Sequence, residues 1–251
     1  MNNLNSPRIL KGVVPPVCTP FTSDYRVDEK SLRKLINHLI DGGVHGLFIL
    51  GSTSEVAYLT DDNRAEVIRI TMDEAQGRVP VVVGAIDTTT LRVIEHVNTA
   101  VAAGVEGIVI TAPFYVRTHP AEITNHFRLV KKACPNIPIY AYDIPIAVNG
   151  VKLDLGTILT LAKEGVIGGL KDSSGSDSGI RAVILEIKKL NLPSFVVLTG
   201  SELTVDSALM FGADGVIPGI GNIDPAGYVK IYDLVSSGDY LAARKEQERL
   251  F

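Results

Sequence analysis

VIGGLKDSSG, residues 166–175, is the stretch that decides how this chain reads. A short apolar run, Val166 to Leu170, holds two glycines, ends in Lys171 and breaks at once into Asp172, Ser173, Ser174 and Gly175. Such a run closed by a Ser/Gly/Asp loop reads as a fully buried parallel strand. Lys171 then emerges at the strand's carboxyl end, where α/β sheets, open or closed, carry their chemistry.

The same unit recurs on both sides of it. Apolar strand patterns fall at 12–20 (with three prolines), 46–50, 79–83, 107–111, 137–142, 166–171, 195–199 and 215–217. Helical patterns open at Asp28, Thr60, Thr89, Pro120, Asp154, Ser178 and Leu203, several of them on good N-cap residues, and two more run from Pro225 and from Asp239. Eight strand-helix pairs without a linker or composition shift predict one closed (β/α)8 TIM barrel. The whole chain, 1–251, reads as a single domain: barrel at about 10–236, extra carboxyl-terminal helix at about 239–251. A doubly wound open sheet is the alternative arrangement. It calls for a Gly-rich dinucleotide turn after the first strand, and no GxGxxG stands there.

With 251 residues, 46% of them hydrophobic, the chain has enough apolar surface for a large core. A net charge of -4 gives no basic face for nucleic acid or an anionic membrane surface, which leaves a small soluble ligand as the expected partner. Cys18 and Cys134 stand far apart and in no CxxC or His-flanked pattern, so neither a disulfide frame nor a zinc site is expected. The opening MNNLNSPRILKG has no apolar core, and no run approaches the ~18 residues of a spanning helix. We read the protein as cytoplasmic.

On a barrel, the loops after the strands share one rim. That rim gathers Ser52 and Thr53, Phe114 and Tyr115, Tyr142, and Lys171: a nucleophile, proton carriers and anion-binding hydroxyls, with no metal ligands. The set suits Schiff-base chemistry. A lysine, with a reference pKa of about 10.4, is inert when charged, and burial disfavours the charged form. The free amine attacks a ketone. A phenol such as Tyr142 can move the proton that the adjacent carbon then releases, and Ser52 and Thr53 offer a cradle for a carboxylate. Each residue also has a plainer reading: Lys171 snorkelling to solvent, Tyr142 and Tyr115 as rim-packing aromatics, Ser52 and Thr53 as loop and capping residues.

Four motifs in order, GSTSE at 51–55, APFY at 112–115, YDIP at 142–145 and GLKDSSG at 169–175, resemble the dihydrodipicolinate synthase and N-acetylneuraminate lyase superfamily of pyruvate-dependent class I aldolases. The likeness runs from about Leu10 to Asn222. It implies a lysine imine with pyruvate or another 2-keto acid on Lys171, with no separate cofactor and no metal, Tyr142 as proton shuttle, and Ser52 with Thr53 on the carboxylate. It implies that Tyr115 completes the site of a neighbouring subunit, hence a homodimer or homotetramer, and that the Ile217 carbonyl faces the keto acid. The chain ends at Phe251, shorter than most members of the superfamily.

The aldehyde end departs from the family's patterns. Where the dihydrodipicolinate-forming enzymes carry an arginine, IPIAVNG at 144–150 has Ala147 and no arginine; where sialic acid lyases carry paired acids, Glu202 is followed by Leu203. Asp143 stands where the family commonly has asparagine. The expected activity is therefore aldol cleavage or condensation of a 2-keto-3-deoxy sugar acid or similar 2-keto acid, with Ser173 and Glu202 binding hydroxyls. A 4-hydroxy-tetrahydrodipicolinate synthase of lysine biosynthesis and a Schiff-base dehydratase are the alternatives within the family. Outside it stand a phosphate-binding barrel using Gly215, Gly219 and Gly221, and a non-enzymatic keto-acid sensor.

Overall fold

The computed structural model describes residues 9–251. The polar opening stretch from Met1 to Arg8, read above as lacking an apolar core, lies outside the described residues.

The strands are β1 (Gly12–Val13), β2 (Leu47–Ile49), β3 (Val81–Gly84), β4 (Gly107–Ile110), β5 (Ile139–Asp143), β6 (Gly169–Asp172), β7 (Val196–Thr199) and β8 (Gly215–Val216). Alternating with them run α1 (Glu29–Asp41), α2 (Asp61–Ala75), α3 (Thr90–Ala102), α4 (Pro120–Ala133), α5 (Leu155–Lys163), α6 (Asp177–Lys189) and α7 (Val205–Met210); α8 (Pro225–Ser236) and α9 (Tyr240–Leu250) follow β8. Caps form at the helix starts, those of Asp28 and Thr60 as expected from the sequence. Asp28 Oδ1 accepts from the Ser31 amide at 3.0 Å, Thr60 Oγ1 from Asn63 at 3.2 Å and Asp154 Oδ1 from Thr157 at 2.9 Å, each satisfying an amide that the first helical turn leaves without a partner. Among the described residues no helix is long and apolar enough to cross a membrane.

All strands pair in parallel, in the order β1-β8-β7-β6-β5-β4-β3-β2. The ring closes beyond Val13, where Pro16 bridges Phe48; the Phe48 amide donates to the Pro15 carbonyl at 3.1 Å and the Val17 amide to the Phe48 carbonyl at 2.8 Å. Pro15 and Pro16 have no amide hydrogen to offer a ladder, which keeps β1 short. Closure of this kind makes a TIM barrel and removes the open-sheet alternative.

β6 begins later than the apolar pattern predicts. The amides of Val166 and Ile167 both donate to the Leu161 carbonyl, at 2.9 and 3.4 Å, so these two buried residues wrap the end of α5, and ladder pairing to β5 and β7 starts at Gly169. Both environments bury the side chain, so hydrophobicity alone cannot part them.

The glycine of β6 has a packing cause. A Cβ at Gly169 would lie 2.7 Å from Val196 Cγ2 and 2.8 Å from Tyr140 Cδ1, and one at Gly107 would lie 2.8 Å from Tyr140 Cε2. The Tyr140 ring fills the space that glycines on both neighbouring strands leave open, a small-large-small layer across β4, β5 and β6. Gly168 is under no such constraint, its added Cβ meeting Pro138 at an ordinary 3.7 Å. Gly169→Ala is expected to destabilise the protein by about 1–3 kcal/mol through overpacking, whereas Gly168→Ala stays within ~0.5 kcal/mol of the parent; chemical denaturation of the two variants checks the contrast.

Candidate active site

Side chains alternate along a strand, so Tyr142 lies on the Tyr140 face of β5 and Lys171 on the Gly169 face of β6, each one layer nearer the strand ends. The register sets Lys171 directly opposite Tyr142. Lys171 Nζ lies 3.9 Å from the centroid of the Tyr142 ring and 4.8 Å from that of Phe48, which reaches in from β2. The Phe48 and Tyr142 rings meet edge to face at 6.3 Å. Lys171 is 4% exposed; it does not snorkel to solvent.

Burial pushes the Lys171 amine below the ordinary lysine value, opposed by Tyr142 and by the charge of Glu202. Burial alone would raise the Tyr142 phenol. The charge on Lys171 and side-chain hydrogen bonding with Ser52, Lys171 and Ser173 outweigh it, and the phenol sits below its usual value. The two groups thus approach each other in proton affinity, the condition for passing a proton between neighbours.

The loop after β2 carries Ser52 and Thr53. Leu50 and Glu55 take φ values of +56° and +59°, unusual for residues with side chains. Between them Ser54 is fully buried, taking the Gly51 amide on its Oγ at 3.2 Å and the Thr19 hydroxyl on its carbonyl at 2.9 Å. The buried serine fixes the loop; Ser52, exposed, and Thr53, half-buried, are what it presents. A Cβ at Gly84 would lie 2.0 Å from the Leu50 carbonyl oxygen, so the turn needs glycine on β3.

Ser173 follows β6, its amide donating to the Asp143 carbonyl at 2.8 Å, and its Oγ lies where a Cβ on Gly200 would fall, at 1.9 Å. Ile217 follows β8, buried, with its amide on the Thr199 carbonyl at 2.8 Å. Glu202, after β7, accepts the Ile220 amide on Oε2 at 2.8 Å. That contact puts a carboxylate on the loop proposed for phosphate and occupies one of its amides, which argues against an anion there. Tyr142 thus interacts with Lys171, Ser52 and Ser173, and Lys171 in turn with Glu202. Tyr115 does not join them: it is 85% exposed, with φ +78°, and its carbonyl accepts from Asn149 Nδ2 at 2.9 Å.

Three features of the site escape the sequence reading. Phe48 looks like any core residue of an apolar strand, and only closure of the barrel turns it toward Lys171. Ser54 sits inside the motif, but nothing in its type distinguishes the structural serine from the presented one. Behind the pair, Asp143 and Asp172 face each other in register, both buried, with Lys152 Nζ bonded to Asp143 Oδ2 and 3.8 Å from Asp172 Oδ2. Burial raises the Asp143 carboxyl, its bond to Lys152 opposing. Two acids at adjacent strand ends carry the signal, and a lysine at 152 completes it. Among the described residues no group of three or more His, Cys, Asp or Glu could hold a metal ion.

Comparison with known proteins adds a lineage. Residues 9–251 match the model of the dihydrodipicolinate synthetase family. The chain is 33% identical to the 4-hydroxy-tetrahydrodipicolinate synthase of Methanothermobacter thermautotrophicus over 96% of its own length and 85% of that protein's. It is 34% identical to the putative 2-dehydro-3-deoxy-D-gluconate aldolase YagE of Escherichia coli, over 94% and 77% of the two chains. The crystal structure of YagE in complex with pyruvate superposes with a TM-score of 0.91 at 33% identity, covering 96% of this chain and 80% of that one.

The lowered proton affinity of Lys171 has a consequence for stability. Between its native and unfolded pKa values the unfolded chain holds a proton that the native one lacks, so native stability climbs with pH across that window. Lys171→Met is therefore expected to raise Tm at neutral pH, by a few degrees for each kcal/mol regained, with the gain shrinking as pH approaches about 10.4. Thermal melts of both proteins across pH 7 to 10.5 check the sign.

Proposed function

The chain belongs to the dihydrodipicolinate synthetase family, and on that premise we propose that it is a class I lyase that condenses or cleaves pyruvate and an aldehyde through an imine on Lys171. The observation that carries the reading is the amine of Lys171, buried against the Tyr142 ring at the carboxyl rim of the barrel, where burial lowers its proton affinity. Free Nζ adds to the carbonyl carbon of the keto acid; the oxygen departs as water, and a carbon-nitrogen double bond to Lys171 remains. Loss of a proton from the adjacent carbon gives an enamine that adds to the aldehyde carbon, whose oxygen takes up a proton. Water then releases the product and frees the lysine, and cleavage is the reverse. Tyr142 moves these protons, Ser52 and Thr53 take the carboxylate, and Ser173 and the Ile217 carbonyl bound the keto acid. No separate cofactor is needed.

For the aldehyde end we propose a polyhydroxylated chain, as in a 2-keto-3-deoxy sugar acid. Supporting this are the lack of arginine in 144–150 and the carboxylate of Glu202 acting on Lys171; both disfavour a second anionic group and suit hydroxyls. Tyr115, with exposed Val116 and Ile146 nearby in sequence to it and to its Asn149 partner, supports association in which it enters a neighbour's site, as a homodimer or homotetramer. A synthase acting on aspartate semialdehyde is the second reading, favoured by the identity to the Methanothermobacter protein.

Incubation with 2-keto-3-deoxygluconate should release pyruvate, followed by lactate dehydrogenase. Tyr142→Phe should cut kcat by about 10²–10⁴-fold and Lys171→Ala should abolish turnover. Pyruvate consumption with aspartate semialdehyde alone would favour the second reading; no turnover with either partner would contradict the proposal.

A further inference from the structure

Glu202 is held from three sides. Its carboxylate takes the Ile220 amide at 2.8 Å. Its carbonyl takes two donors from the helices behind it, the Tyr228 hydroxyl of α8 at 3.3 Å and Gln247 Nε2 of α9 at 3.1 Å. The other end of the same Gln247 amide accepts from the Val205 amide at 2.7 Å and the Asp206 amide at 3.3 Å. These are the first amides of α7, and Thr204, which precedes the helix, makes no side-chain cap of its own. One side chain, distant by 42 residues in sequence from Val205, therefore spans the whole turn from Glu202 to Asp206 and satisfies amides that helix starts otherwise leave open.

Gln247 is 5% exposed and Tyr228 fully buried. A buried amide side chain with donor and acceptor both used has little freedom to turn, because any rotation strands polar groups away from water. α9 is itself fastened through Glu246, which bonds Lys230 of α8 at 2.7 Å, and through Arg249, which bonds Asp224 at 2.6 Å. The path from the outer helices to the rim is continuous: α9, Gln247, the Glu202 backbone, the Glu202 carboxylate.

We infer that Gln247 is a positioning residue for substrate selection: it holds Glu202 where the end of the substrate remote from Lys171 must lie. The inference rests on the imine-aldolase reading above. It assigns α9, which contributes nothing to the barrel wall, a direct effect on affinity for the aldehyde portion and only a small one on imine formation, through the Glu202 charge that acts on Lys171. Tyr228 shares the role through the same carbonyl.

The test separates the two ends of the site. Borohydride trapping of pyruvate, read by intact mass, reports the lysine end; KM for the keto-sugar acid reports the far end; hydrogen exchange of the Val205 and Asp206 amides reports the turn without any chemistry. Gln247→Leu is expected to leave the pyruvate trapping rate within twofold, raise KM about tenfold, as freeing the Glu202 carbonyl from its Gln247 donor would, and lose protection at those two amides. Tyr228→Phe, which keeps the ring, should show the KM effect alone and more weakly. Unchanged KM in both variants would overturn the inference, and so would pyruvate trapping that slows by as much as KM rises. Wild-type protein that traps no pyruvate would instead overturn the aldolase reading, and with it the catalytic part of this one, while amide exchange would still show whether Gln247 orders the turn.

Discussion

Everything at this site depends on taking the Lys171 amine out of water. An ammonium group buried without compensation is costly, so the group gives up proton affinity instead. The barrel supplies the setting through ordinary means: strand register puts Tyr142 beside Lys171, closure of β1 onto β2 brings the Phe48 ring over it, and the layer beneath is sealed by Tyr140 seated between Gly107 and Gly169. The proposed mechanism has the phenol and the amine trade protons at close quarters, and the expected expense is a native state less stable than one with an apolar residue at 171. That is a common bargain at functional sites.

The strand-end acids sharpen the same point. Asp143 and Asp172 alternate with Tyr142 and Lys171 along their strands, and Lys152 ties them together from the segment ahead of α5. The charges that fix the strand ends are thus kept on the opposite faces from the group that must stay dry. Removing Lys152 would leave two buried carboxylates opposed, a far larger penalty than losing a surface pair.

Much of this was legible in the sequence because the signals were local. The α/β alternation, the caps at Asp28 and Thr60, and a lysine ending a buried run all follow from short-range chemistry, and so did the gathering of Ser52, Tyr142 and Lys171 on one rim. What the sequence hid was set at long range. Phe48 becomes a neighbour of Lys171 only through closure; Val166 and Ile167 looked like strand because helix wrap and strand bury apolar residues alike; Gln247 reaches Val205 from 42 residues away and reads by itself as one more polar residue on a surface helix. Tyr115 is legible in type but not in place, since its exposed ring stands outside the group around Lys171.

The central claim is that Lys171, among the lysines of the chain, is the amine that forms an imine. Treatment with pyruvate and borohydride followed by proteolysis and peptide mass mapping tests it most directly. The account predicts a single reduced pyruvoyl adduct on the peptide holding Lys171, absent from Lys171→Ala. An adduct on another lysine, or none on the native protein, would contradict it.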